Sequence, residues 1–424
     1  MTRDVNLFTD SKNVNEGSLY RKSLLSNGIR VVSEKIPYVR SVSIGIWIEA
    51  GTRDEPAEKN GIAHFLEHMV FKGTKTRTSF ELADTLEALG GSLNAFTSKE
   101  ITSFYAHVLD EHLEIAVDIL ADLLNHPLFD PQELEKEKHV VIEEIKDLED
   151  SPDDLIFDYF FEGIFSPHSL SFPTLGKKET VRNFRREDLI EFREKNYTSN
   201  RIIIAAAGNI EHEILVDLCE KYFSQNQSFS RRNLSKFPPE KPARLERNYH
   251  GQQAHVCMGC RTIPYSAPGK YPLLLTNTIL GAGMSSRLFQ TLREKYGLVY
   301  TVFSFADFFT DTGVFGVYFG TDEENIERSI ELINREFTKL LNHELKEDEL
   351  LKRQSQLKGN LLLELESTSN RMERLAKMEI YSHGFHTLDD VIQSIDQVNL
   401  DDVFKIANDY FHPNRLYQMI IRPD

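Results

Sequence analysis

Residues 61–74 read GIAHFLEHMVFKGT. His64 and His68 stand four apart with Glu67 between them, and Ile62, Phe65, Leu66, Met69 and Val70 surround them. The apolar spacing predicts a helix over 56–74 and another over 79–90, the second closed by Gly90–Gly91. On a helix the two imidazoles project about 40° apart, one turn above the other, with Glu67 about 100° from His68. Three ionisable groups in so apolar a segment are costly to bury unless they are paired or hold a metal. Two imidazoles one turn apart suit one Zn²⁺, which in a catalytic site keeps three protein ligands and an open position. A zinc-held water there has a pKa near 7, and Glu67 is placed to take its proton as general base. H-x-x-E-H in an apolar helix therefore points to metal-assisted hydrolysis.

The third ligand has to come from elsewhere. DPQELEKEKHVVIEEIKDLED (130–150) opens with Asp130 as N-cap, Pro131 at the first helical position and Glu133 at the capping-box position. It predicts a helix of about five turns with an apolar stripe of Leu134, Val141, Ile145 and Leu148. Glu144 borders that stripe, whereas Glu143 points further away. Glu137, almost two turns earlier, projects from the same side as Glu144. Glu144 as ligand, with Glu137 as its neighbour, is geometrically consistent.

Working outward, GIRVVSEKI and SVSIGIWIEAG alternate and read as strands, SLNAFTSKEITSFYAHVL as a hairpin, and RIIIAAAGNI as a buried strand before a helix at 211–223. Residues 1–18 read as a loose arm. The polar stretch 224–243, with three prolines, reads as a linker. Beyond it, AHVCMGCRTI is a strand, PLLLTNTILGAG a helix, TVFSFADFF and GVFGVYFG a strand pair, and long charged helices fill 323–343 and 346–382. Strand, helix, Gly-rich turn, strand pair and helices thus occur twice. The expected fold is α+β: a diverged duplication with an N-terminal zinc-binding domain (1–223), the linker, and a C-terminal substrate-binding domain (244–424) that lacks the zinc motif.

HFLEHMVFKGT resembles the inverted zinc motif of the pitrilysin (M16) family of metallopeptidases, in the branch of the catalytic subunit of mitochondrial processing peptidase and its bacterial homologues. The resemblance extends over nearly the whole chain. It implies two related sandwich domains, each a mostly antiparallel sheet flanked by helices, closing as a clamshell with one zinc per chain. It implies His64, His68 and Glu144 as ligands, Glu67 as base and Glu137 as the acidic residue seven before the distal ligand. LGGSLNAFTSKEITSFYAHVL (89–109) is similar to the family's strand beside the zinc, where Asn94, Ala95 and Phe96 would line an extended substrate added to the sheet edge. GAGMSSRLFQTLREKYGLVYTV (281–302) is similar to a segment whose Arg and Tyr reach across to the active site, here Arg293 and Tyr300, which would stabilise the oxyanion.

Composition narrows the class. At 40% hydrophobic and 27% charged the chain reads as globular, and a net charge of −17 argues against nucleic-acid binding while mildly favouring basic peptides. No run is long and apolar enough for a membrane span, and three cysteines build no disulfide framework. His255, Cys257 and Cys260 invite a second metal site, but on a strand the two cysteines point to opposite faces. His107, His126, His139 and His168 lack partners at ligand spacing. The expectation is a bacterial cytoplasmic zinc endopeptidase, a homodimer, acting on unfolded or short extended peptides enclosed between two domains. The alternative is a non-catalytic or assembly subunit of a hetero-oligomeric peptidase or respiratory complex.

Overall fold

The computed structural model describes residues 19–224, 228–382 and 384–424; the expected N-terminal arm lies outside them. The first half contains β1 (Tyr20–Leu24), β2 (Arg30–Lys35), β3 (Ser41–Ile48), α1 (Ile62–Val70), α2 (Ser79–Glu87), β4 (Ser92–Thr97), β5 (Thr102–Leu109), α3 (Leu113–Asn125), α4 (Pro131–Glu149), α5 (Pro152–Phe165), α6 (Lys178–Arg182), α7 (Arg186–Asn196), β6 (Ile202–Gly208) and α8 (His212–Phe223). The second contains β7 (Arg244–Tyr249), β8 (Ala254–Thr262), α9 (Lys270–Gly281), β9 (Val299–Phe308), β10 (Gly313–Thr321), α10 (Ile326–Leu341), α11 (Glu347–Glu364), α12 (Thr368–Tyr381), α13 (Leu388–Asp396), α14 (Leu400–Tyr410) and β11 (Tyr417–Pro423).

The strands form two sheets, ordered β1-β2-β6-β3-β5-β4 and β7-β11-β8-β10-β9. Apart from β1 the two orders superpose strand for strand. In each, one parallel pair (β2 with β6, β7 with β11) sits beside three antiparallel ones. This shared topology is what a duplicated α+β unit produces. It leaves β4 and β9 as equivalent edges.

Each sheet is covered on both faces. Ile202, Ile204 and Ala206 of β6 join the core under α1 and α3, while Ile203, Ala205 and Ala207 face the opposite core. Double burial is why this strand reads as a continuous apolar run without alternation. The helix over the second face of the first sheet is α12, which brings Met372, Leu375, Ala376, Met378 and Ile380 from the other half. Reciprocally, α5 of the first half lays Ile156, Phe160, Phe161, Ile164 and Phe165 on Cys257, Tyr318, Tyr417 and Met419 of the second sheet. The approach is close: a Cβ on Gly163 would stand 1.9 Å from the Tyr417 hydroxyl. The two halves have exchanged helices.

Two expected elements differ. The helix expected over 346–382 is broken at Leu365–Ser367, where the Ser367 side chain caps α12 at Asn370 N and frees α12 to turn onto the first sheet. The helix expected over 56–74 starts only at Ile62, after two short 3₁₀ turns. Gly61 ends the approach at φ +95°, a left-handed conformation, and a Cβ there would press on Gly176 Cα at 2.7 Å. Cys257 and Cys260 lie in opposite cores and are free thiols, as strand geometry requires.

Candidate metal centre

α1 begins in an unusual way. No Ser or Thr caps it; instead the buried Glu55 carboxylate accepts from Gly61 N and Ala63 N, both at 2.8 Å, and from the Asn60 amide at 2.8 Å. Burial pushes Glu55 up to about 8, while these three hydrogen bonds and the helix macrodipole favour its charged form. Anchored there, α1 buries Ile62, Phe65, Leu66 and Met69 and leaves His64, Glu67 and His68 half-buried along its side toward α4 and β4.

The two imidazoles converge. His64 Nε2 lies 3.2 Å from His68 Nε2, and Glu144 Oε2 on α4 lies 3.9 and 3.7 Å from them. Two ligands about 2.0–2.1 Å from a tetrahedral ion stand roughly 3.3–3.4 Å apart. The nitrogens already have that spacing, and the carboxylate oxygen sits a few tenths of an ångström beyond it. Among the described residues these three form the one group of His, Cys, Asp or Glu atoms able to hold a metal, all within 4.8 Å of one another.

The surrounding contacts fix the nitrogen roles. His68 Nδ1 meets Glu137 Oε1 at 2.8 Å, and Glu137 Oε2 accepts from Lys72 Nζ at 2.7 Å. With Nδ1–H donating, the His68 Nε2 lone pair points at His64 and Glu144. His64 Nδ1 is buried without a hydrogen-bond partner among the described residues, so Nε2 is the only nitrogen that this ring presents to the group. Burial, with His68 adding to it, pushes His64 down to about 3 and keeps it neutral. Burial also opposes a charge on His68, but the Glu137 hydrogen bond and the carboxylates of Glu144, Glu137 and Glu67 outweigh it and raise its pKa. Two imidazoles and a carboxylate with an orienting acid behind one ring are a donor set that suits zinc.

Glu67 is held differently. Thr97 Oγ1, at the last residue of β4, donates to Glu67 Oε2 at 2.5 Å. Burial raises Glu67 above the ordinary carboxylate range, with Thr97 pulling back. One carboxylate oxygen is thus pinned to the edge strand. Glu143, one residue before the ligand, is solvent-exposed and paired with Lys146. Glu137, expected beside Glu144, instead steers His68.

The remaining expected site residues are spread out. Among the described residues β4 pairs only with β5, which leaves its outer backbone edge without a strand partner there. Asn94 faces solvent, Ala95 packs on the first core, and Phe96 packs against Trp47 with ring centroids 5.5 Å apart. Arg293 and Tyr300 lie in the second half and are exposed. The Arg293 guanidinium is over Phe289, and the Tyr300 hydroxyl is 3.4 Å from Asp322. Neither contacts the His64 group. Three supporting residues escaped the sequence reading: Glu55, Lys72 and Thr97. Lys72 stands one turn after His68, a spacing that could have signalled it. Nothing local marks Thr97, since its partner is 30 residues away.

Comparison with known proteins shows the family of the chain. Residues 30–178 match the family model described as insulinase (peptidase family M16), and 183–357 match the one described as the peptidase M16 inactive domain. A Bacillus subtilis protein, named as the uncharacterized zinc protease YmxG, is 40% identical over 393 residues, covering 93% of this chain and 96% of that protein. An uncharacterized zinc protease of Rickettsia felis is 35% identical, covering 92% and 94%. A Helicobacter pylori protease of known structure superposes with a TM-score of 0.90 at 23% identity, over 96% of this chain and all of that one, and so shows the shared fold.

Proposed function

Because the chain belongs to peptidase family M16, we propose that it is a zinc-dependent endopeptidase that hydrolyses unfolded or short extended peptides between its two halves. The observation that carries this reading is the convergence of His64, His68 and Glu144 beside a base, Glu67, that is tied to an open strand edge. One zinc per chain, held by those three side chains, would supply the Lewis acid that activates water and polarises the scissile carbonyl.

The chain's own groups do the rest. Glu137 accepts from His68 Nδ1 and holds that ring in register. Thr97 pins Glu67 Oε2, leaving Oε1 to take the proton of the attacking water and deliver it to the leaving amine. An extended peptide adds to β4 through the backbone of Asn94, Ala95 and Phe96, which places its scissile bond beside Glu67. Arg293 and Tyr300 supply oxyanion donors when the second half closes on the first. The acidic balance favours basic peptides, and the assembly is a homodimer.

The test is metal content by mass spectrometry, together with cleavage of a quenched basic peptide with and without chelator. The expected result is one zinc per chain, chelator-sensitive cleavage, and an E67Q variant that keeps zinc but loses cleavage. Zinc-free protein, or an active E67Q variant, refutes the assignment; zinc without cleavage turns the reading to a non-catalytic subunit.

A further inference from the structure

A cavity of about 670 Å³ lies between α9, α11, α12 and α13, in the range of small-molecule sites. It shares no residue with the His64 group. Its floor is apolar, with Leu274, Leu357, Leu361, Val391 and Ile395. At one end stand Lys270 and Arg374. The Lys270 ammonium is 3.3 Å from the centroid of the Tyr265 ring, which is itself stacked on Tyr381 at 4.9 Å. Arg374 donates to the His386 carbonyl.

In a chain with 66 acids to 49 bases, two half-buried cations on one cavity wall without a directly bonded counter-ion stand out. Among the described residues neither Lys270 nor Arg374 makes a direct ion pair; Glu34, whose charge reaches Arg374 from further off, is itself bonded to Arg371. The two carboxylates on the cavity wall are engaged elsewhere. Asp390 accepts from Thr387 N at 2.8 Å and Thr387 Oγ1 at 2.7 Å, capping α13, and Asp402 accepts from Asn399 N at 3.0 Å, capping α14. Nearby Lys377 is paired with Glu373. Burial, with Arg374 and Lys377 adding to it, pushes Lys270 down to about 7.

We propose that this cavity is a second binding site, for a carboxylate carried on an apolar body. The carboxylate bridges the Lys270 ammonium and the Arg374 guanidinium, and the body lies on the leucine floor. A planar carboxylate matches the guanidinium fork, and one anion between two cations supplies the missing counter-charge. A free fatty acid and the C-terminus of an apolar peptide present the same chemistry.

The full-length, zinc-loaded protein is treated at about pH 7 with limiting acetyl N-hydroxysuccinimide ester, and acetylation is mapped by mass spectrometry. Octanoate, N-acetyl-leucyl-phenylalanine and neutral octanamide compete in separate arms. The expected result is saturable protection of Lys270, about tenfold or more, by at least one carboxylate, with exposed lysines unaffected. Protection by octanoate alone identifies a free acid, by the dipeptide alone a peptide terminus, and by both their shared chemistry. Calorimetric titration of the same two carboxylates gives a second readout: K270M/R374M should weaken the binding at least about tenfold. Lys270 protected by neither carboxylate, equal protection by octanamide, or unchanged binding to the double variant overturns the proposal.

Discussion

Beside the exchanged helices, the contact between the two halves is predicted to depend measurably on one buried guanidinium. Arg53, just before α1, is 2.6 Å from Glu100 in the β4–β5 turn and grips both oxygens of Asp311 in the β9–β10 turn, each at 2.6 Å. Glu100 is 1% exposed and also accepts from Thr310 N at 2.9 Å. In R53M, Glu100 keeps neutral donors and Arg232 at 3.8 Å, while Asp311 can turn to water. Leaving one partner of a buried pair uncompensated costs about 3–5 kcal/mol; with Arg232 still close, the lower end, about 3 kcal/mol, applies. An unfolding entropy of about 2.1 cal/mol/K per residue, over 424 residues, gives roughly 0.9 kcal/mol/K, so the melting temperature should fall by about 3 °C. Differential scanning calorimetry of R53M, E100Q and R53M/E100Q reads this directly. The double variant, which buries no lone charge, should recover most of the loss. A drop of under about 1 °C in R53M, or a double variant at least as unstable as R53M, would refute the reasoning.

Other outcomes follow from the site. E137Q should weaken zinc binding about 10- to 100-fold, measured by competition with a chromophoric chelator, because His68 loses its charged acceptor; unchanged affinity would sever Glu137 from the metal. T97V should retain zinc and lower kcat by about tenfold, as one oriented hydrogen bond worth about 1–2 kcal/mol is lost; an unaltered kcat would make the Thr97 contact incidental. Burial lowers the pKa of His168, His212 and His255, so the unfolded chain binds more protons than the folded one below about pH 6.5. Their stability contribution is present above that pH and lost below it. Glu55, Glu67, Asp158 and Asp307, raised by burial, act in the opposite direction, so the His212 part is read as a difference: between pH 7 and pH 5, H212Q, which removes a ring lodged between Ser23 and Ser33, should show a smaller drop in melting temperature than the unaltered protein. A drop of the same size in H212Q would remove His212 from the account.

The sequence was most legible where the physics is local. Histidines one turn apart, with an acid between them in an apolar segment, carry their meaning in their spacing, and the structure brings them together. The periodicity of α4 left Glu144 no more than consistent with a ligand role, and the family resemblance supplied the choice; the structure brings its carboxylate to the two imidazoles. Glu137 was read on the same side of α4 as Glu144, as its neighbour; that its carboxylate meets His68 was not legible, since periodicity fixes direction and not what is met there. Thr97, Asp311 and α12 were illegible for one reason: each acts on residues far away in sequence. The apolar run of β6 announced a strand covered on both faces, but it could not say that the second cover comes from residues 368–381. The break before α12 was equally hidden, because it rests on Ser367 with no Gly or Pro to mark it.

The exchanged helices impose a schedule on synthesis. When residue 223 has left the ribosome, every strand of the first sheet exists, yet the face carrying Val32, Trp47 and Ile203 has no cover. α12 is still about 150 residues away, which at roughly 5–20 residues per second means about 8–30 s of waiting. During that interval α5 is equally without its seat, because the last strand it packs on ends at Pro423. The nascent first half is thus a client for whatever shields apolar surface in the cell, and the chain closes its two cores only when its final strand arrives.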